Sequence, residues 1–528
     1  MLGWQFLDTW IVTLLSVAYL FILFVIAYFG RDSQAWAKKP WVYGLTLGVS
    51  FTSWAFYGTV GQAALTGQWL APLYIGTLLC FVLLWPMFLK TLRIIKEQNL
   101  TSIADFIACR YDRSPKVAML VASVALIGTI PYIALQLRAI STSFDLLTGT
   151  FEVGASTTLI VTCVLVVFSI LFGTRQVSVS QQNTGLILAI AFSSVVKLLA
   201  LTAIGVFTTF IIFDGFDDLL LKQTQAAIEY QSNTAYFVVA QVLLGAITIF
   251  ILPQQFHMMM IENHHEDGLK MARWLFPLYL LVINIFVLPI AIAGQLNFPG
   301  GIVNPDTFVL SLPLLYQQPW LGMVAFIGGL AAATSMVVVA AIVLSTMITT
   351  EVLTPTILKF RLLNSTATSQ LSGMLVSLRR ISIAVILILA FVFERLVSQH
   401  SHLASIGLMS FVLLSQFAPA VVGALYWRRA TTMGAFSSIL VGSCVWFYTL
   451  LLPLIVPDVV WVQAGPVWGD YHISWLKPTA LFGISELDKV THGVFFSLSL
   501  NVMTYVVVSL LTRRTVGEKF QAELFVNK

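Results

Sequence analysis

Charge is what this sequence has least of. Only 10% of its 528 residues are Asp, Glu, Lys or Arg against 58% hydrophobic, and the mean hydropathy is +0.91. A chain so poor in charge cannot cover itself with a hydrated surface, which excludes a water-soluble globule. Cysteine is scarce too. Cys80, Cys163 and Cys444 lie in apolar runs and Cys109 in a more polar segment, with no two at ligand spacing. Neither a disulfide framework nor a zinc site is expected. A Gly-rich phosphate loop, a nucleophile elbow and a metal-spaced carboxylate cluster are all missing, so no enzyme, resident metal or cofactor is expected. The net charge of +5 sits mainly at the ends of apolar runs, where it meets anionic lipid and carries no nucleic-acid signal.

Long apolar runs are what the chain has in abundance, thirteen of them from Trp4–Phe29 to Val490–Thr512. Each is near or above the roughly twenty residues a helix needs to cross hydrocarbon, so the expected fold is an all-α membrane protein with about 13 transmembrane helices. Most of the 28 Lys and Arg fall in alternate connections between runs, whereas only Lys222, Lys477 and Lys489 fall in the others. Cytoplasmic connections hold the positive charge, which predicts an outer N-terminus and a cytoplasmic C-terminus. No Lys or Arg precedes the first run and no small-residue cleavage pattern follows it, so it reads as a retained anchor.

With the first run set aside, the next ten divide into two groups of five, 41–213 and 235–427. Five is odd, so the groups lie in opposite orientations, as in inverted-repeat transporters that hold solute where corresponding helices are interrupted. The first helix of each group carries the interruption signals. One has Gly44, Gly48 and the polar Ser50-Phe51-Thr52-Ser53, the other Gln241, Gly245, Thr248 and Pro253-Gln254-Gln255. Proline removes a backbone donor, and unwound backbone is tolerated only where it lines protein or water. The full division is then an extra N-terminal helix and loop (1–40), repeats 41–213 and 235–427, and C-terminal helices (428–514). These form one membrane domain, 1–514, followed by a cytoplasmic tail, 515–528.

Solute-binding residues are expected at the two breaks. Thr52, Ser53, Trp54 and Tyr57 would face Gln241 and Thr248, with Gln136 reaching in from the fourth run. Free half-helix amides suit a carboxylate and ring faces suit an apolar or imidazole side chain. Lys197 lies mid-run in KLLAL, where an ammonium is costly unless it faces a polar interior. Such a lysine can exchange a proton with its surroundings, and a structural pair or a helix-end snorkel is the alternative. Arg138 either pairs with Asp145 or lines the cavity beside Gln136, and Glu394-Arg395 reads as an interfacial pair. The ENHHED run at 262–267 reads as solvated loop rather than a metal site.

Four stretches carry a family likeness: SFTSWAFYGTVG (50–61), SIADFIACRYDRSPKVAML (102–120), GTRQVSVSQQNTGLILAI (173–190) and GGLAAATSMVVVAAIVLSTMITTE (328–351). Through them the chain resembles the sodium/solute symporter family. LPQQFHMMMIENHHEDGLKMARWLFP (252–277) and AFSSVVKLLAL (191–201) resemble the transporter-like N-terminal membrane domain of CbrA-type bacterial sensor histidine kinases. The resemblance implies a LeuT-like 5+5 inverted repeat, with one extra N-terminal and two extra C-terminal helices, in a bacterial inner membrane. It also implies a small solute such as the amino acid histidine and, as a partner, a downstream cytoplasmic histidine kinase region. A standalone sodium- or proton-coupled symporter without a signalling role is the alternative.

The likeness also places the coupling ion. Ser335 matches a sodium-holding hydroxyl and Met336 stands where a second would be, while Ser50 and Gln182 occupy positions where relatives carry Asp. Thioether sulfur is a poor ligand for sodium, so a proton is expected as coupling ion in preference to sodium, with Lys197 as its carrier. In the family register Lys197 lies about four turns beyond Gln182, which puts its reach to that place in question.

Overall fold

The computed structural model describes every residue except 1–3, 5, 31–32, 151–153, 174–182, 229, 232, 264–265, 360–367, 398–402, 457–462, 464, 469–470 and 528. Among the described residues, ten continuous helices are long and apolar enough to span a membrane, or twelve with two bent pairs counted as spans. The further expected span, 41–64, is not one helix. It runs as α2 (Pro40–Thr46), a 3₁₀ turn (Leu47–Ser50), non-helical backbone at Phe51, a π turn (Trp54–Gly58) and α3 (Thr59–Thr66). Among the described residues the membrane-length apolar helices thus number ten to twelve rather than the expected thirteen, because the 41–64 run is broken into short pieces.

Proline explains the bent pairs. Leu252 sits before Pro253, where the ring's Cδ disfavours helical backbone, and adopts φ −53°, ψ 125°. Helix α11 (Ala235–Ile251) thus turns by 50° into the segment Pro253–Ile261. The other bend, 71° between α4 (Pro72–Leu83) and α5 (Trp85–Gln98), falls at Leu84 just before Trp85-Pro86. No sequence expectation placed a bend there.

At the centre is α16 (Pro319–Met347), buried almost throughout and packed on α7 (Pro115–Thr148) and α9 (Thr184–Phe207). On the outside, α1 (Thr9–Phe29) packs along α9 with most of its apolar surface exposed, as expected of a lipid-facing helix. Helices α17 (Thr368–Val397) and α18 (Leu403–Leu414) close the bundle around α7, and α20 (Thr432–Trp446) pairs with α21 (Lys489–Leu511). Close approach depends on two glycines between α4 and α11. A Cβ on Gly76 would lie 1.9 Å from the Val242 carbonyl oxygen, and one on Gly245 would lie 1.8 Å from that of Leu73.

The connections are small. One holds a ten-residue helix, Phe216–Gln225, and another a pairing of the two-residue strands Val467–Trp468 and Tyr471–His472. After α21 the chain ends in α22 (Val516–Val526), started by a reciprocal cap between Thr515 and Glu518. This helix lies against α6 (Ile103–Arg110). Phe525 is fully buried on Phe106, Lys90 donates to the Val526 carbonyl, and Glu518 accepts from the Thr432 amide.

Candidate solute site at the broken helices

Interrupting a helix leaves carbonyls on one side and amides on the other without helical partners. At the 47–53 break both sets are claimed by side chains from elsewhere. The Gly48 carbonyl accepts from the Phe51 amide and from the ammonium of Lys197, each at 3.0 Å. Beyond the break, the amide and hydroxyl of Ser53 both donate to Gln136 Oε1, at 3.0 and 2.6 Å. Gln136 Nε2 donates to the Tyr132 carbonyl, and the Tyr132 hydroxyl lies 3.0 Å from Thr52 Oγ1. Helix α7 thus clamps the interrupted segment through residues one turn apart.

An aromatic cage stands beside this clamp. Trp54 meets Tyr74 of α4 and Phe411 of α18 edge to face, with centroids 6.1 and 6.2 Å apart, and Tyr132 meets Phe411 at 5.1 Å. Between these rings, Ser50, Thr77 and Thr248 lies a cavity of about 30 Å³. It has room for about two waters and falls well short of the roughly 300 Å³ of ordinary ligand pockets. Trp54 Nε1 and the Tyr74 hydroxyl have no hydrogen-bond partner among the described residues. Each such buried donor costs about 1–3 kcal/mol.

Of the expected binding residues, Trp54 and Thr248 line this cavity, and Thr52, Ser53 and Gln136 form the clamp beside it. The Thr248 hydroxyl itself donates to the Leu244 carbonyl at 2.7 Å. Tyr57 does not face the cavity, because its ring lies on Gly329 of α16, where a Cβ would come within 1.9 Å of the hydroxyl oxygen. Gln241 is also elsewhere, 3.3 Å from Gln62 Nε2 at the floor of a separate vestibule. Tyr74, Tyr132 and Phe411 had no place in the sequence expectation. Only Tyr132 left a signal, one turn before Gln136 on the same helix face.

The expected ion residues divide as well. Ser50 donates to the Leu47 carbonyl at 2.9 Å and lines the solute cavity. Ser335 donates to Ala332 in its own helix at 3.2 Å, next to fully buried Met336, while Gln182 lies outside the described residues. Lys197 is fully buried and does reach the break, because α9 packs directly along the 3₁₀ turn.

Arg138 does not pair with Asp145, whose carboxylate accepts from Thr157 and Thr150. It lies instead in the field of Glu394 and Asp306. Glu394 and Arg395 are paired at 3.5 Å. Of the ENHHED run, His264 and His265 lie outside the described residues. Glu266 is bound to Arg93, and no group of metal-ligating side chains occurs among the described residues.

A helical membrane bundle with two interrupted helices meeting at a small cavity defines a transporter-like protein. The chain belongs to the sodium:solute symporter family, whose sequence profile matches residues 38–442. It is 25% identical over 493 residues to the uncharacterized symporter YhjB of Bacillus subtilis (strain 168), across 90% of this chain and 89% of that protein. The substrate-bound, outward-open structure of a Na⁺-coupled sialic acid symporter shares the fold, with a TM-score of 0.66 at 14% identity, over 96% of this chain and 98% of that one.

Proposed function

We propose that this protein carries a small zwitterionic solute, an amino acid such as histidine, across a bacterial inner membrane with a proton as the coupling ion. The observation that carries the solute reading is the aromatic cavity at the breaks, lined by Trp54 and Tyr74, whose polar atoms have no partner among the described residues. A solute carboxylate would compete with Gln136 for the two donors of Ser53, and an imidazole or apolar side chain suits the rings of Trp54, Tyr74 and Phe411. Proton coupling is supported by the 3.0 Å contact of Lys197 Nζ with the Gly48 carbonyl. Loss of the proton would weaken that contact and loosen the broken segment. In this reading 41–213 and 235–427 are the inverted repeats, the N-terminus is outside and the tail cytoplasmic.

Uptake of tritiated L-histidine by the purified protein in liposomes tests the reading. Accumulation is expected under an inward proton gradient without sodium, and Ser53→Ala should weaken binding. Uptake that requires sodium and ignores pH would overturn the coupling assignment, and binding unchanged in Ser53→Ala and Trp54→Phe would overturn the placement.

A second reading makes the same core the sensor module of a two-component protein of the CbrA type. Its support is α22, tied to α6 through Phe106 and to the start of α20 through Glu518, so movement of those helices would be transmitted to the tail. A phosphoacceptor histidine and an ATP-binding region encoded after Lys528 would favour this reading, and a stop codon there the standalone symporter.

A further inference from the structure

Helices α11 and α21 contact each other, and between them and the connection ahead of α21 runs a groove of about 910 Å³. Its long walls are apolar, carried by Val239 and Leu243 on one side and by Val494, Leu498 and Met503 on the other. Val239 and Met503 are 65% and 60% exposed, so the groove faces outward from the bundle. On α21 it runs from Thr491 to Met503, a rise of about 18 Å, against the roughly 15 Å that one leaflet adds to the hydrocarbon core. A second spanning helix would need a seam about twice as long.

Polar groups gather at one end. There Tyr236, Glu486 and Thr491 line the groove, with Ser499 the exception further along. Thr491 is 5% exposed, and its hydroxyl has no hydrogen-bond partner among the described residues. A buried donor in that state calls for an acceptor from outside the chain. Of the charges nearby, the Asp488 carboxylate is engaged by the amides of Val490 and Thr491, both at 3.1 Å, and so starts α21. Lys489 and Asp306 line the vestibule across the connection, and Arg138 lies in the field of Asp306. Glu486 lines both spaces and, among the described residues, is the one charged side chain of the groove.

We propose that the groove is a phospholipid site. An acyl chain would lie along α11 and α21, the Thr491 hydroxyl would donate to an ester or phosphate oxygen, and Glu486 would accept from the head group. A carboxylate repels an anionic head group, and it takes a hydrogen bond from a primary ammonium but not from a quaternary one. The chemistry therefore selects phosphatidylethanolamine over phosphatidylglycerol and phosphatidylcholine. The bound lipid would brace the connection 485–490, one wall of the vestibule, against α11, whose other end breaks at Leu252. In the proposed topology this is the outer leaflet.

Photocrosslinking and native mass spectrometry of the purified full chain test the site. In nanodiscs of mixed phosphatidylethanolamine and phosphatidylcholine, an ethanolamine lipid with a diazirine on its acyl chain should label peptides covering 235–243 and 491–503. Released into detergent and weighed, the chain should retain phosphatidylethanolamine about threefold to fivefold better than phosphatidylcholine or phosphatidylglycerol of the same chains. Glu486→Gln should abolish that preference. Val239→Trp and Val502→Trp, both at exposed positions that leave room for a larger ring, should fill the groove and lose the labelling, and either serves should the other fail to fold. Labelling spread evenly over the lipid-facing helices, or a preference unchanged in Glu486→Gln, would overturn the proposal. So would a native dimer that Val239→Trp and Val502→Trp convert to monomer, which would give the groove to a second copy of the chain.

Discussion

Lys197 Nζ lies 3.0 Å from the main-chain carbonyl of Gly48, so a side chain of α9 occupies the backbone acceptor exposed by the break in the first interrupted helix. A fixed cation in that place serves as a removable ligand only if it can shed its proton. Lys197→Ala should therefore abolish uphill accumulation while solute exchange across the liposome membrane continues. Lys197→Arg should also abolish accumulation, since a guanidinium keeps its charge. Loss of at least tenfold in proton-driven accumulation, with counterflow retained, is the expected result. Accumulation by Lys197→Arg at the native level would assign the residue to structure alone.

Gln136 supplies the next outcome. Its Oε1 accepts both donors of Ser53, so replacing it with Leu leaves a buried amide and hydroxyl unsatisfied, at about 1–3 kcal/mol for each group. Lower thermal stability is expected, accompanied by tighter binding of any solute carboxylate that takes over the vacated donors. Gln136→Glu should instead keep the acceptor for Ser53 but lose the donor to the Tyr132 carbonyl, lowering stability too, while its carboxylate repels that of the solute and raises the Kd for L-histidine. Thermal unfolding followed by tryptophan fluorescence, together with radioligand binding, separates the two effects.

The breaks were legible because a helix can be interrupted only by residues that visibly disfavour it. Gly48, the polar run 50–53 and Pro253 announce themselves in otherwise apolar segments, and Lys197 stands out for the same reason. The cage was not legible. Tyr74 and Phe411 sit in apolar runs, where a ring turned to a cavity and a ring turned to lipid are the same letter, and hydropathy says nothing about which face meets the break. Tyr57 shows the converse, since its place beside Trp54 in the sequence suggested the cavity, yet the flat surface at Gly329 takes its ring. The pairing of Gln241 with Gln62 depends on how two distant half-helices cross, which neither segment records.

Helix contact between α4 and α11 makes a sharper demand than any polar group. Gly76→Ala would set a methyl 1.9 Å from the backbone oxygen of Val242, which cannot rotate away. Forcing the helices apart should cost about 1–3 kcal/mol or more. Gly373→Ala is the control, because nothing lies within 4 Å of its Cβ position, and helix propensity alone should leave stability unchanged or slightly improved. Melting of the two variants by fluorescence-detected size exclusion should show a clear fall for the first only.

Orientation is open to direct chemical test. After Cys163 and Cys444, both exposed, are replaced by serine, Gln225→Cys should react with a membrane-impermeant maleimide in intact cells. Ser365→Cys should react only after the membrane is opened. The reverse pattern would invert the topology and with it the sides assigned to the vestibule and the tail.

Two tryptophans offer a matched comparison of a donor kept for a ligand and a donor used for folding. Trp446 Nε1 donates to the Met409 carbonyl at 2.9 Å, whereas Trp54 Nε1 has no partner among the described residues and lies beside Gly407, while the Trp54 side chain lines the cavity. Both side chains are almost completely buried, so replacement by Phe removes comparable volume from each. Trp446→Phe should lower stability by about 1–3 kcal/mol, because a buried carbonyl loses its donor, and should leave solute affinity unchanged. Trp54→Phe should do the opposite. No protein hydrogen bond is lost there, so stability falls only by the packing change, while a bound solute forfeits one hydrogen bond and its affinity drops roughly fivefold to tenfold. Equal loss of stability in both variants, with affinity unmoved in Trp54→Phe, would mean that the indole of Trp54 fills the core and does not hold solute.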